Sequence, residues 1–300
     1  MGKASRKARQ AERRTGGTAP VAAPFVARPF EGLPGETDLV AMREIVPSAT
    51  ASLTLRPEAE AFRSMAEVPE NITVATILPL AWPGLHRADG ERLVGLQSGS
   101  TSGDLSRDVA QVLTSLLEVE PGTPVRPTSQ ATRDTPRLQD LLDTAAPLDV
   151  QVHDTFDFWV SGGELDAEGQ ASLEQANASI IPTVKLESID SGYWCRVGER
   201  THLRWILPHD ESRATDALAR LKVAGDDTLG ENTRLLGAFR ALGLLAPVWD
   251  LDPALEADAY EDVAAAMAER FAEALASDAP LTGDERRARA GLMSRQLTLR

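Results

Sequence analysis

The longest apolar stretch of the chain, ITVATILPLAW, runs from Ile72 to Trp82 and is already broken by Pro79. A bilayer-spanning helix needs about 20 uninterrupted apolar residues, so no segment of this sequence reads as a membrane span. Short apolar runs bounded by turn residues suit buried strands instead. With 42% apolar residues in 300, the chain can still fill one large or two modest cores. Such a core has to be assembled from many short elements.

Cysteine and histidine usage narrows the chemistry. Cys195 is the single cysteine, which excludes an internal disulfide and a Cys-rich zinc site. His86, His153, His202 and His209 show no metal-ligand spacing, and no cofactor is implied. The basic start has no apolar stretch after it, so Arg13-Arg14 does not read as a twin-arginine export signal. These features predict a cytoplasmic protein without disulfide partners.

Charge is unevenly spread. Residues 1–24 hold Lys3, Arg6, Lys7, Arg9, Arg13 and Arg14 against Glu12, and residues 284–300 hold five arginines against Asp284 and Glu285. The remainder carries 20 basic and 42 acidic side chains, a net −22 within a total of −14. An acidic body repels phosphate backbones, whereas a short basic arm can reach one. The arm is therefore the expected contact for RNA, the ribosome or an acidic protein.

Residues 1–24 are charged, then rich in Gly, Thr, Pro and Ala, which predicts a disordered basic tail. The segment from Phe25 reads as irregular and anchored by Phe25 and Phe30. A helix is expected over 36–45 and a strand over 52–55, with a helical turn or two over 58–66. A long-looped hairpin is expected between 72–78 and 92–97, and an amphipathic helix from Asp104, ended by Pro121-Gly122. The Pro/Thr-rich stretch 121–136 reads as a linker. Beyond it come a helix (137–143), a strand (148–153), FDFWV with Phe156, Phe158 and Val160 alternating as a strand, and a helix (166–177). Three strand-like segments follow up to Leu207, then a helix from Asp210 to about Val223. A helix over 231–242 ends at Gly243 as a left-handed cap. An amphipathic helix over 254–276 and a last helix capped by Thr282 and Glu285 complete the chain.

The expected fold class is α+β. A first lobe is expected over 25–122, a second over 137–230 and a helical C-terminal segment over 231–300. Gly90-Glu91-Arg92 and Gly198-Glu199-Arg200 each precede a strand and then a helix start, Asp104-Leu-Ser-Arg and Asp210-Glu-Ser-Arg. Duplicated lobes would explain the likeness. So would coincidence, because Asp at an N-cap and a G-E-R turn are common solutions.

No GxxxxGK[ST], GxGxxG or GxSxG motif occurs, which argues against a P-loop NTPase, a dinucleotide-binding fold and a serine-elbow hydrolase. HDTFDFW is the most suggestive cluster: His153, Asp154 and Asp157 are the candidate catalytic residues, able in principle to hold a metal or polarise a water. The plainer reading is a turn followed by a strand. Cys195 sits in a strand-like segment, where a buried thiol is inert. Asp250 is expected to cap a turn after a core Trp249.

The segments FVARPFEGLPGETDLVAMREIVPSATA, GLQSGSTSGDLSRDVAQVL, PLDVQVHDTFDFWV, LLGAFRALGLLAPVWDL and ERRARAGLMSRQLTLR together resemble an uncharacterised actinobacterial family, a domain of unknown function. The resemblance runs from Phe25 to Arg300 and implies no activity, ligand or functional residue. Some similar proteins carry the label preprotein translocase SecA. This chain gives that label no support, having no Walker motif and no Cys/His set for a zinc knob. The expected function is a non-catalytic adaptor with a docking arm. The alternatives are an enzyme with its site near His153, Asp154 and Asp157, or a small-molecule-binding module.

Overall fold

Strands with alternating burial assemble into two sheets, which the computed structural model describes over residues 21–99, 102–127, 129–160 and 167–294. The first contains β1 (Ala49–Thr54), β2 (Asn71–Ala75), β3 (Gly84–His86), β4 (Arg92–Gly95), β5 (Thr123–Pro124) and β6 (Val150–Val152), in the order β5-β3-β4-β2-β1-β6. The second contains β7 (Thr183–Lys185), β8 (Gly192–Val197), β9 (Arg200–Trp205), β10 (Arg234–Ala241) and β11 (Leu244–Leu251), in the order β10-β11-β9-β8-β7. Among the described residues seven helices accompany them: α1 (Glu36–Glu44), α2 (Leu105–Leu116), α3 (Leu138–Leu141), α4 (Ala167–Asn177), α5 (Glu211–Ala224), α6 (Glu261–Ala276) and α7 (Gly283–Ser294). The fold is α+β, and none of these helices is long and apolar enough to cross a membrane.

Local chemistry sets several boundaries. Asp104 caps α2 by accepting from the Ser106 amide, and Asp210 caps α5 by accepting from Ser212 and Arg213. Leu105, Val109, Val112, Leu113 and Leu116 form the buried face of α2. Gly225, at φ +80°, ends α5. Thr282 and Glu285 exchange side-chain and backbone hydrogen bonds as a capping box for α7. Asp104 is fully buried and sits 3.0 Å from Arg137 Nε and 3.3 Å from Arg107 Nε, tying α2 to the segment entering α3.

Two large apolar clusters hold the molecule, beside a small one of Ala75, Leu78, Leu85 and Leu93. One joins α1, α2 and the first sheet and also takes in Tyr193, Ile206, Ala241, Leu244 and Ala246 from the second sheet region. The other lies on the opposite face of the second sheet, where Trp194, Leu203 and Trp249 pack against α5 and α6. The expected lobes thus share a core.

The two G-E-R segments do build the same local unit. Gly90 (φ +93°) turns the β3–β4 hairpin, Gly198 (φ +62°) turns β8–β9, and each hairpin leads to an Asp-capped helix. Their sheets differ, because β4 pairs with β2 in parallel while β9 pairs with β11 antiparallel.

Several expectations are corrected. Residues 72–78 and 92–97 do not form a hairpin. The connection that looks like pure turn contains β3, wholly buried, and this strand returns antiparallel to β4 so that β2 and β4 run parallel. Residues 231–242 are not helical. Leu235 and Ala238 pack in one apolar cluster and Phe239 and Ala241 in the other, and Leu242 (φ +44°) with Gly243 (φ +83°) makes the two-residue turn of the β10–β11 hairpin. Residues 231–300 are therefore not wholly helical. FDFWV forms a short 3-10 turn at Asp157–Trp159, with Phe156 and Trp159 stacked at 4.5 Å. Phe25 is 82% exposed and anchors little, whereas Phe30 is completely buried. Most of the expected tail lies outside the described residues, but Ala22 bridges Thr132 and Ala23 is buried. The proline-rich stretch is correspondingly packed in part, through Val125 and Ala131.

Candidate functional site

The six basic residues Lys3, Arg6, Lys7, Arg9, Arg13 and Arg14 lie outside the described residues. His153, Asp154 and Asp157 follow β6 at the rim of the first sheet. His153 is half-buried; its Nε2 is 2.7 Å from the Thr50 hydroxyl and its ring packs 5.3 Å from Phe158. Burial depresses its pKa, and the neighbouring Asp154 charge opposes that shift. Asp154 and Asp157 are exposed. Among the described residues no group of three or more His, Cys, Asp or Glu side chains is placed to hold a metal.

A polar cluster that sequence reading missed joins the two sheets. Asp38 projects from the first turn of α1 and is buried. Its Oδ1 accepts from the Ser191 hydroxyl at 2.6 Å and from the Tyr193 hydroxyl at 2.7 Å, while Oδ2 is 2.8 Å from Lys185 Nζ. Ser191 also contacts the Thr37 hydroxyl at 2.7 Å, and holds a left-handed backbone at φ +55°. Burial, together with the adjacent Asp38 charge, pushes the Tyr193 phenol far above its ordinary range. A phenol so placed donates to Asp38 and does not ionise. The cluster fastens α1 to the second sheet. No local signal could announce it, because the partners lie about 150 residues from Asp38 in sequence.

A second gathering crosses the second sheet on the face away from α5 and α6. Cys195 on β8 lies directly opposite His202 on β9, which lies opposite Asp250 on β11, which lies opposite Arg234 on β10. Directly opposed residues share a face, so the four form one row. His202 Nδ1 is 3.7 Å from Asp250 Oδ1, and Arg234 is 3.5 Å from Asp250 Oδ2. Burial lowers the His202 pKa; Asp250 opposes that shift and Arg204 adds to it. Burial also raises the Cys195 thiol, against a smaller opposing effect of Arg204. The thiol is therefore protonated and closed off, as its strand setting predicts. Asp250 takes no capping role: Asp252 does, accepting from the Ala254 amide.

A pocket of about 240 Å³ opens between β3 and α2 and is lined by Ala81, Pro83, Leu105, Val109 and Val112, with Ser98 and Asp108 as polar walls. At its edge Leu80 and Ala81 both hold φ +54° although neither is glycine, and Leu80 is 82% exposed. Consecutive left-handed residues of this kind cost about 1–2 kcal/mol each.

No curated protein and no solved structure matches the chain. One family does, described as a family of unknown function, and its sequence model covers residues 29–300. Nearly the whole described structure, both sheets included, falls within that match, so the chain belongs to the family of unknown function DUF5926.

Proposed function

We propose that this is a cytoplasmic, non-catalytic binding or adaptor protein whose basic arm, Lys3 to Arg14, docks on RNA, on the ribosome or on an acidic protein surface. The observation that carries this reading is the segregation of charge: six basic side chains in residues 1–14 against a body of net −22. Repulsion from the body keeps a polyanion at the arm, and attraction to the arm falls steeply with salt. Sedimentation of lysate through a sucrose gradient tests it, comparing the full chain with a 25–300 truncation. The full chain should travel with ribosomes or RNA at low salt, and both truncation and high salt should release it. If full chain and truncation both stay at the top of the low-salt gradient, the arm docks on nothing there and the reading fails.

A second reading, a small-molecule-binding module, is favoured by the apolar pocket beside Leu80 and Ala81. Strained backbone of this kind is commonly found at ligand clamps, and an apolar pocket with a few polar walls is a usual binding geometry.

A further inference from the structure

Arg204 lies on the face of the second sheet away from α5 and α6, two residues along β9 from His202 and directly opposite the buried Tyr193 on β8 and Val248 on β11. It is half-buried, and no carboxylate lies within ion-pair distance of it among the described residues. Its Nε is closed to solvent and makes no hydrogen bond, and the same holds for His202 Nδ1. Arg204 Nε is thus withdrawn from water with no partner, and His202 Nδ1 has the Asp250 carboxylate only at 3.7 Å. A charged group left in this way is normally more destabilising than a neutral one. Arg200, exposed on the same strand and face, adds positive charge, and Asp250, opposite His202, is already shared between His202 and Arg234. In a body of net −22, a half-buried arginine with no carboxylate has no electrostatic reason to be left unpaired unless something else meets it.

We infer that Arg204, His202 and Arg200 form a binding site for a phosphoryl group. An arginine fork meets phosphate oxygens through two parallel hydrogen bonds. A tetrahedral group offers further oxygens to donors spread along a flat strand, where a planar carboxylate would reach fewer of them. His202 supplies one more N–H in its neutral form. The inference is independent of the basic arm, since it rests on β9.

Isothermal titration and thermal unfolding of the full chain test it, with inorganic phosphate and glycerol phosphate as probes and sodium chloride matching the ionic strength. At least one probe should bind the wild type saturably and raise its Tm. Glycerol phosphate binding tighter would assign the site to a phosphorylated small molecule; inorganic phosphate binding as well or better would assign it to the free ion. Arg204→Met should weaken binding about tenfold or more, while leaving the Tm without probe unchanged or higher, since an orphaned charge is removed. Arg204→Lys, which keeps charge but not the fork, should fall between the two. His202→Gln gives a second, independent loss should Arg204→Met not fold. The inference is overturned if neither probe acts on the wild type beyond the chloride control, or if the variants respond as the wild type does.

Discussion

Gly243 was legible as a residue and misread as an element. A glycine after LLGAFRAL fits a helix C-terminus, and it does adopt a left-handed φ of +83°. What the sequence does not reveal is that Leu242 before it is left-handed too, which makes a hairpin turn instead of a helix cap. Gly237 within the segment already argued for a strand, since an interior glycine costs a helix about 1 kcal/mol. A Cβ at Gly243 would stand 2.6 Å from the Ala27 carbonyl oxygen, so backbone blocks it from backbone. Gly243→Ala should therefore destabilise the protein by about 2–3 kcal/mol, read from the urea midpoint. Leu80 presents the opposite case: its side chain is solvent-exposed and its φ is +54°. Leu80→Gly should raise stability by up to about 1 kcal/mol in the same assay, because strain is relieved at little loss of packing.

At the scale of elements, the helices α2, α5 and α7 were legible because their signals are local: an aspartate or threonine cap, a one-sided apolar stripe, a glycine at the end. β3 was hidden because its three residues sit among Pro83, Gly84 and Asp89-Gly90, where turn chemistry masks a buried strand. The candidate site fared similarly. His153 was visible by residue type, but its engagement with Thr50 depends on β1 meeting β6. The Asp38 joint depends on contacts across about 150 residues, which no window of sequence contains. That joint has a measurable role. Asp38→Ala leaves Lys185, Ser191 and Tyr193 without their acceptor and should destabilise by about 3 kcal/mol. Tyr193→Phe removes one donor and should cost about 1 kcal/mol. Urea unfolding at pH 7 checks both.

The whole molecule is bound together by the apolar cluster that spans both sheets, from Phe30 to Ala246. Tryptophan fluorescence and far-ultraviolet circular dichroism should accordingly report coincident urea transitions. Stability should also respond to pH through the histidines. Burial depresses the pKa of His153, His202 and His209 in the folded protein. Between those depressed values and the unfolded value of about 6.5, the unfolded chain holds more protons, so stability rises with pH. The contribution is complete above about pH 6.5 and is lost as pH falls through the folded values. Urea midpoints should drop from pH 7 to pH 5.5, and the triple substitution H153Q/H202Q/H209Q should flatten that slope.

The pairing of β1 with β6 sets Ala49 opposite Val152, across about a hundred intervening residues. During synthesis β1 therefore waits with an open edge until β6 has left the exit tunnel. The shared cluster waits longer still, for Leu244 and Ala246 at the start of β11. Non-local closure of this kind slows folding and prolongs exposure of unpaired strand edges. A nascent chain stalled before β11 would carry the second sheet unfinished, with β9 lacking its partner strand and the shared cluster lacking Leu244 and Ala246. Among the steps of its biogenesis, the interval before residue 251 is the one in which this protein most needs protection from aggregation.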